Sequence, residues 1–487
     1  MASRPRNSIA RPAAKKVMRA LGRRIAPMES PDFNELYARA AMQSAAERNP
    51  VIVIPGILGS RLIDKASGTP IWGAFEGNFA DPATAEGARM TAITMQPGVP
   101  LPMLEEHADA DGALEKIRGK VLGLPVELSA YNEIILTLGA GGYTGELIGS
   151  NKIIDYGVNA LSTCFQFPYD WRRSIPENAK KLDEFIGAVL RYAQREAGCD
   201  HNVKIDIVAH SMGGILARYY MRYGGDPAPA AAASPVFMGS RHVEHLVIVG
   251  TPNAGSLESL RKLKIGMPKT PLTPWYSPQI LGSFPSMYQI LPRGRHGHVW
   301  VKENNQTRRV DDVLDFELWE RMGWGLADPS ADDELVKLLP GEDTMAKRRA
   351  VAMDHLVKCL IEAKLVQRAL DMPAPAPPGL KTILFAGDAK PTPSKGLVGI
   401  GSEDVEYVEH APGDGTVLRT SALLDERTGQ KWSPRVQTPI DWSQVTFLHT
   451  DHMGLTRSPT FTDNLLYLLL ERPRGACVVD FADERKL

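Results

Sequence analysis

The stretch KIDIVAHSMGGILARYYMR, residues 204–222, decides the fold of this 487-residue chain. A β-branched run passes through a turn of small residues directly into a helical pattern that begins near Met212. Strand, sharp turn and helix, with Ser211 at the turn, form the nucleophile-elbow pattern G-x-S-x-G, in which Ala209 replaces the first glycine. The alternative is a small-residue turn that only tightens a strand–helix joint. The flanking strand and helix favour the functional interpretation.

The residue sizes around Ser211 follow from the chemistry. The serine must occupy a strained turn for its Oγ to project above the sheet, so positions two before and two after must be small. Ala209 and Gly213 meet that requirement. The helix N-terminus directs the Met212 backbone N–H toward a developing oxyanion. Because a serine hydroxyl is a weak nucleophile, the pattern also requires an acid and a histidine base, in that chain order.

Two histidines, His449 and His452, follow the last predicted strand, VTFL at 445–448. His452 lies farther into the loop, where an imidazole could swing over Ser211. His449 lies closer to the strand and could instead be a buried, hydrogen-bonded core histidine. We favour His452 as the base.

Two aspartates could supply the acid. Asp388 directly follows the predicted strand TILFAG at 382–387, and Asp414 lies in a glycine-flanked turn after a predicted hairpin. Either carboxylate could instead cap local backbone in its own turn. The residues alone leave both positions open.

The rest of the chain alternates β-branched runs with helical patterns, which predicts an α/β fold with a mostly parallel central sheet and helices on both faces. Further strands are expected at 50–55, 160–167 and 244–250, and helices at 175–197 and about 459–471. Two insertions interrupt this rhythm, as lids and substrate pockets usually do. We expect a basic, partly disordered tail at 1–48, a hydrolase core at 49–250 and 380–472, a lid with little β-pattern at about 61–130, a cap at 251–379 that ends in a Pro-rich linker, and a C-terminal tail at 473–487.

Composition excludes several function classes. Hydrophobic residues make up 43% and charged residues 23%, and the net charge of −1 gives no field that would attract nucleic acid or an anionic membrane. Four scattered cysteines, without a CxxC pair, indicate neither a zinc site nor a disulfide scaffold. The basic first 30 residues lack the apolar core of a secretory signal, and no run could span a membrane. We expect a cytoplasmic protein with at most transient membrane-surface contact.

Taken together, the motifs resemble those of the lecithin:cholesterol acyltransferase family, which includes phospholipid:diacylglycerol acyltransferases, a lysosomal phospholipase and bacterial lipase-like members. The PGILGS and YDWR blocks are more specific than the serine motif, which many lipases share. The matching blocks, in the family's order, are VIVIPGILGSRLID (51–64), FQFPYDWRRS (165–174), VAHSMGGILAR (208–218), VGTPNAGS (249–256), FPSMYQILP (284–292), AGDAKPT (386–392), GDGTV (413–417) and DHMGLTRSPTFTDNLLYLLL (451–470).

The resemblance implies an α/β-hydrolase fold with lid and cap insertions, and it favours Asp414 as the acid and His452 as the base. It also implies that Ile57, or alternatively Leu58, supplies the oxyanion donor that acts beside Met212. Leu58 and Trp171 become candidates for the wall of an acyl pocket. One departure matters, because the mammalian members have a disulfide-tied lid and this chain has no cysteine before Cys164. An intracellular bacterial-type member fits better, and sterol acylation does not carry over.

The implied activity is lipid ester hydrolysis through an acyl-serine, with acyl transfer to an alcohol as the alternative. The expected partner is a lipid or other acyl ester, and the chemistry needs no metal or organic cofactor. A non-lipid esterase would keep the same three residues around a polar pocket. A catalytically silent binding protein would normally lose one of the three residues, and all are present.

Overall fold

A computed structural model of the chain describes most of the region between residues 31 and 472. The first 30 residues and the predicted C-terminal tail lie outside it. The described ranges are 31–75, 77–113, 116–121, 124–129, 132–145, 161–195, 202–226, 234–270, 273–304, 306–402 and 404–472.

A six-stranded sheet forms the centre of the molecule, and all of its strand pairs are parallel. Most of the strands are buried runs rich in β-branched and aromatic residues, as expected of a sheet covered on both faces, whereas the strand at 444–448 is half-buried. The mostly parallel sheet predicted from the sequence is confirmed. The strands are β1 (Val51–Ile54), β2 (Cys164–Gln166), β3 (Ile205–His210), β4 (Val243–Val249), β5 (Lys381–Gly387) and β6 (Gln444–Leu448). Their spatial order is β6-β5-β4-β3-β1-β2.

The strand order reverses at β1. Strand β2 pairs with one side of β1, whereas β3 pairs with its other side and the later strands continue outward from there. The loops that follow β1 and β3 therefore leave the carboxyl edge of the sheet side by side. Such a switch point is where open α/β sheets bind their ligands.

Four helices connect or flank these strands. They are α1 (Ile175–Arg195), α2 (Met212–Tyr223), α3 (Met345–Asp371) and α4 (Pro459–Leu466), which continues as a π-helix over Tyr467–Glu471. Helix α1 buries the predicted apolar stripe, including Leu182, Ile186 and Val189. In the described part of the chain, no helix has the length and apolar character that crossing a bilayer requires.

Further helical segments lie in the N-terminal region, in the insertions and in the loops of the core. The α-helical segments are Phe33–Leu36, Ala38–Ala41, Ala85–Thr91, Asn132–Ala140, Leu257–Ile265, Pro278–Gly282, Pro285–Gln289, Phe316–Met322, Asp332–Leu338 and Arg419–Leu423. The 3₁₀ segments are Ala45–Glu47, Leu101–Met103, Met238–His242, Gly294–His296, Gly325–Ala327 and Leu455–Arg457.

The expected lid insertion contains more β-structure than the sequence indicated. Its strands are short and expose charged residues such as Arg61, so they lack the β-branched runs of the central sheet. Ser60–Asp64 pairs antiparallel with Pro70–Trp72 and Ala108–Ala113, and Lys116–Val121 pairs with Leu124–Ser129. A separate four-stranded sheet is formed by Gln306–Arg309, Val299–Glu303, Lys390–Gly399 and Glu406–Gly413.

The end of the expected N-terminal tail contains helices that the sequence pattern did not indicate. Residues 33–47 form short helices that are anchored by the buried Tyr37, whose hydroxyl donates to the Asp463 side chain at 2.8 Å. The buried Arg48 donates to the carbonyls of Ala40 and Gly141 at 3.0 Å each. Four-residue helices are too short to leave a readable period, which is why the sequence pattern did not show them.

A pair of glycine substitutions tests the packing behind the serine turn. A Cβ at Gly214 in α2 would lie 1.9 Å from Thr251 Oγ1, whereas a Cβ at the helical Gly139 meets nothing within 4 Å. We expect Gly214→Ala to destabilise the protein by about 1–3 kcal/mol through overpacking. Gly139→Ala should stabilise it by up to about 1 kcal/mol. Thermal unfolding midpoints measure both, and shifts in the same direction would contradict the described packing.

Glu362 on α3 makes stability depend on pH. The pKa of its carboxyl rises from 4.5 to about 7, mainly because the group is buried; the Ser174 hydroxyl opposes the shift and the nearby Glu177 adds to it. The folded state therefore keeps a proton that the unfolded state releases, so stability is lost as pH rises from about 4.5 through 7. Glu362→Gln should gain up to about 3 kcal/mol relative to wild type between pH 5 and pH 8.

The matched control for this pH dependence is Glu184→Gln, because Glu184 is an exposed glutamate on α1. Its melting temperature should follow the wild-type curve at both pH values. A Glu362→Gln protein that also follows the wild-type curve would show that Glu362 does not carry this proton.

Candidate active site

Ser211 occupies the turn between β3 and α2 with φ +52° and ψ −126°. A residue with a side chain rarely adopts such a φ, and the strain persists only where surrounding contacts fix the turn. The Ser211 N–H donates to the Val249 carbonyl at 2.8 Å, and the Gly214 N–H donates to the Ser211 carbonyl at 3.0 Å. The turn thereby fixes Ser211 at the carboxyl edge of the sheet.

The neighbours of Ser211 are small because the backbone of the next loop approaches closely. A Cβ at Gly213 would lie 2.4 Å from the Pro55 carbonyl oxygen and 2.7 Å from that of Ile54. Ala209 is fully buried and pairs with Ile54 in the sheet. The close contact between the serine turn and the chain at the end of β1 is therefore the structural reason for the small residues predicted at these two positions.

The structure brings Ser211, His452 and Asp414 together in one hydrogen-bonded line. His452 Nε2 lies 3.1 Å from Ser211 Oγ, and His452 Nδ1 lies 2.7 Å from Asp414 Oδ2. The Asp414 carboxylate is buried, while the His452 ring keeps partial access to solvent. The His452 backbone N–H also donates to the Asp414 carbonyl at 2.9 Å. Two hydrogen bonds, one from the imidazole and one from the backbone, therefore join His452 to Asp414.

The GDGTV turn orients the Asp414 carboxylate. Its Oδ1 accepts from the backbone N–H groups of Thr416 at 2.9 Å and Val417 at 2.7 Å. This arrangement occupies one carboxylate oxygen with local backbone and presents the other, Oδ2, to His452. Asp414 thus has both of the roles considered for it: Oδ1 caps the backbone of its turn, and Oδ2 contacts His452.

Two glycines at strand ends make room for these side chains. A Cβ at Gly387, the last residue of β5, would lie 2.6 Å from the Cβ of Asp414. Gly250, which follows β4 with φ +58°, would place a Cβ 3.1 Å from His452 Cε1. Both the acid and the base therefore rest directly on the carboxyl ends of central strands.

The alternative residues lie elsewhere. Asp388 pairs with Arg419 at 3.6 Å. His449 is exposed, so its interpretation as a buried core histidine is wrong. Strand β6 is the edge of the sheet and is only half-buried over most of its length, and so the residue that follows it projects into solvent.

His210, which precedes Ser211, supports the histidine loop. Its Nε2 lies 3.4 Å from the His452 carbonyl oxygen, and the two imidazole centroids are 4.8 Å apart. Burial, together with the neighbouring His452, lowers the pKa of His210 to about 3. His210 is therefore neutral near pH 7 and adds no second positive charge beside His452.

The loop that follows β1 carries the expected oxyanion donor. Leu58 has φ +64°, and a turn hydrogen bond joins the Gly59 N–H to the Gly56 carbonyl at 3.1 Å. Within the described ranges, the N–H groups of Ile57 and Met212 donate to no other residue. Two backbone donors are thus available on the two loops that meet at the switch point, although the side chain of Ile57 itself is apolar.

Ser211 opens onto a pocket with about 590 Å³ of empty space. Ile57, Leu58 and Trp171, which the resemblance placed near the substrate, all line it. The remaining lining is mostly apolar, with Glu258 and Lys262 as the charged members. Apolar side chains from the second insertion form much of the wall, namely Met267, Leu281, Phe284, Met287 and Ile290.

Sequence reasoning missed two groups of residues at this site. The FPSMYQILP block was recognised as a motif, but the spacing of Phe284, Met287 and Ile290 around a five-residue helix did not indicate a pocket wall. Trp72 was missed entirely, and its Nε1–H donates to the Leu58 carbonyl at 2.8 Å. A lone tryptophan at the end of a three-residue strand gave no signal by itself.

One group of described side chains is close enough to hold a metal ion, namely Asp206, Glu244 and His245. It lies at the amino ends of β3 and β4, on the opposite edge of the sheet from Ser211. His245 Nδ1 lies 2.8 Å from Asp206 Oδ1, and the Asn49 amide donates to Glu244 at 2.7 Å. These groups already have partners among themselves and take no part in the Ser211 site.

Comparison with solved structures identifies a protein of similar fold. A chain in the crystal structure of the Tle4–Tli4 complex superposes with a TM-score of 0.54 at 15% identity, covering 87% of this chain and 98% of that one. EstA from Clostridium botulinum gives a TM-score of 0.33 at 13% identity and covers 92% of each chain. The first likeness shows the fold, and the second is too distant to add to it. No curated protein sequence matches significantly.

The sequence profile of the lecithin:cholesterol acyltransferase family matches residues 149–326, which include β2, the serine turn and most of the pocket wall. The match agrees with the resemblance seen in the motifs and covers less than half of the chain, whose fold is that of the α/β-hydrolases.

Proposed function

We propose that this protein is a serine-dependent lipid ester hydrolase that works through an acyl-serine intermediate. The observation that carries the proposal is the hydrogen-bonded line Ser211–His452–Asp414 beside a mainly apolar pocket. Acyl pockets are apolar because the transfer of a fatty acyl chain from water into an apolar site lowers the free energy. The match to a family of acyltransferases supports the same chemistry.

In the first half-reaction, Ser211 Oγ attacks the ester carbonyl carbon while His452 Nε2 takes the hydroxyl proton. Asp414 accepts the Nδ1–H, which holds the imidazole in the required tautomer and stabilises the imidazolium. The Met212 and Ile57 amides stabilise the negative charge that develops on the carbonyl oxygen. When the tetrahedral intermediate collapses, the alcohol leaves with the proton from His452, and the acyl group stays on Ser211.

In the second half-reaction, His452 removes a proton from water, which attacks the acyl-serine carbonyl. The intermediate collapses to the free acid, and Ser211 regains its proton from His452. An alcohol in place of water would make the same residues an O-acyltransferase, which the family's name favours as the second candidate. In either reaction, contact of the protein with a lipid surface would be transient, because the ester reaches Ser211 by entering the pocket.

Substitution of the proposed nucleophile and base tests the mechanism. Ser211→Ala and His452→Ala should each lower kcat on long-chain p-nitrophenyl esters by about 10⁴-fold or more, because the remaining residues cannot replace the missing step. His449→Ala is the matched control and should stay within about twofold of wild type. A Ser211→Ala protein that keeps wild-type turnover would overturn the proposal.

The same assay tests the substrate class. Short-chain esters should turn over more slowly than long-chain esters, since they leave the apolar wall unfilled. Equal rates on both would favour a non-lipid esterase. Phospholipid vesicles supplied with a long-chain alcohol distinguish hydrolysis from transfer, because only transfer produces a new ester that mass spectrometry detects.

A pair of aspartate substitutions tests the identity of the acid. Asp414→Asn should lower kcat by about 10³–10⁴-fold, because an amide at this position allows the wrong imidazole tautomer. Asp388→Asn removes a carboxylate that pairs with Arg419 and should change kcat less than threefold or so. If Asp388→Asn is the damaging change, the assignment of the acid is wrong.

A further inference from the structure

The loop that carries Ile57 is held by side chains from two other segments. Tyr169 donates its hydroxyl to the Pro55 carbonyl at 2.9 Å, and Trp171 Nε1–H donates to the Ser60 carbonyl at 3.1 Å. Trp72 Nε1–H donates to the Leu58 carbonyl at 2.8 Å. Hydrogen bonds therefore hold one carbonyl at each end of the loop, and the hydrogen bond from Trp72 holds a third carbonyl in the middle of the loop.

The middle of the loop is also where the backbone is strained. Leu58 adopts φ +64°, a region that costs residues with a Cβ free energy, and nothing in a leucine side chain favours it locally. A rotation of Leu58 to an ordinary negative φ would turn the adjacent peptide groups and carry its carbonyl away from Trp72. The hydrogen bond from Trp72 opposes that rotation.

Trp72 is itself held firmly. It is 3% exposed and ends the strand Pro70–Trp72, where it pairs across the sheet with Leu62. Its ring packs edge-on against Trp171 and Phe75, with centroids 5.6 Å and 5.1 Å away. The indole N–H is therefore a preorganised donor with little freedom to follow the loop elsewhere.

From this geometry we infer that Trp72 is a positioning residue for the oxyanion loop, which holds the Ile57 amide in its donating orientation through the Leu58 carbonyl. The inference rests on the proposed function. It also implies that the first hairpin of the expected lid contributes to the chemical step. This hairpin begins at Ser60, where the oxyanion loop ends, and returns to Trp72, which contacts that loop.

The expected kinetic signature is a loss in kcat rather than in binding. Oxyanion donors act on charge that develops only in the transition state, so a misplaced donor lowers kcat and leaves KM nearly unchanged. Trp72→Phe keeps an aromatic ring and removes the N–H. We expect its kcat on p-nitrophenyl esters to fall about 10–100-fold, with KM within about twofold.

The matched control is Trp300→Phe. Trp300 also donates its Nε1–H to a backbone carbonyl, that of Gly297 at 3.0 Å, but it lies in the separate four-stranded sheet. Both variants lose one indole hydrogen bond, so their melting temperatures should fall similarly, while only Trp72→Phe should lose kcat. The rate at which a p-nitrophenyl phosphonate modifies Ser211 should fall in parallel, because its phosphoryl oxygen uses the same donors.

Should Trp72→Phe fail to fold, replacement of Trp72 by benzothienylalanine changes only the ring N–H to sulfur and serves the same comparison. Unchanged kcat and phosphonylation in a Trp72 variant would overturn the inference, and so would a raised KM with unchanged kcat, which would make Trp72 a substrate contact. Either result leaves the proposed function standing as long as Ser211→Ala is inactive. Activity in Ser211→Ala would instead remove the proposed function itself.

Discussion

The close contact between the turn at Ser211 and the backbone after β1 is the constraint on which the rest of the site depends. The Pro55 and Ile54 carbonyls leave no space for a side chain at Gly213, and Thr251 leaves none at Gly214. Only small residues allow the helix α2 to start so near the neighbouring strand. Because the contact joins two loops at the switch point of the sheet, it fixes the nucleophile and the proposed oxyanion donor relative to each other.

The remaining residues reach Ser211 over glycines at the ends of neighbouring strands. Gly250 directly follows β4 and lies against His452. Gly387 is the last residue of β5 and lies against Asp414. Ser211 precedes Asp414 and His452 by more than 200 residues in sequence, yet each of the three rests on a central strand or directly follows one. The parallel sheet explains why these distant residues meet, since the carboxyl ends of all its strands lie at the same edge.

Much of this arrangement could be predicted from the sequence. Most of the strands are buried runs rich in β-branched residues, and the serine turn has a size pattern with a direct chemical reason, so both gave strong signals. The choice between Asp388 and Asp414 depended on a family resemblance, because a turn aspartate looks the same whether it caps backbone or orients a histidine. The structure shows Asp414 contacting both the backbone of its turn and His452.

The parts that escaped prediction are those fixed by tertiary contact alone. Trp72 and the wall residues Phe284, Met287 and Ile290 lie on or beside elements of only three to five residues, too short for a periodic pattern to be read. The ordered helices at 33–47 depend on Tyr37 reaching Asp463, more than 400 residues away. His449 was misplaced because an edge strand exposes residues that a central strand would bury.

The position of β6 at the border of the sheet has a consequence for how the protein would lose activity. Among the strands that the structure describes, β6 has a neighbour on one side only, and the chain that leaves it carries His452. Peripheral elements open at lower free energy than the interior, so local fraying there would withdraw the imidazole while the inner strands stay paired. Inactivation by mild heat or denaturant would then precede the collapse of secondary structure, and turnover would report early damage that circular dichroism overlooks.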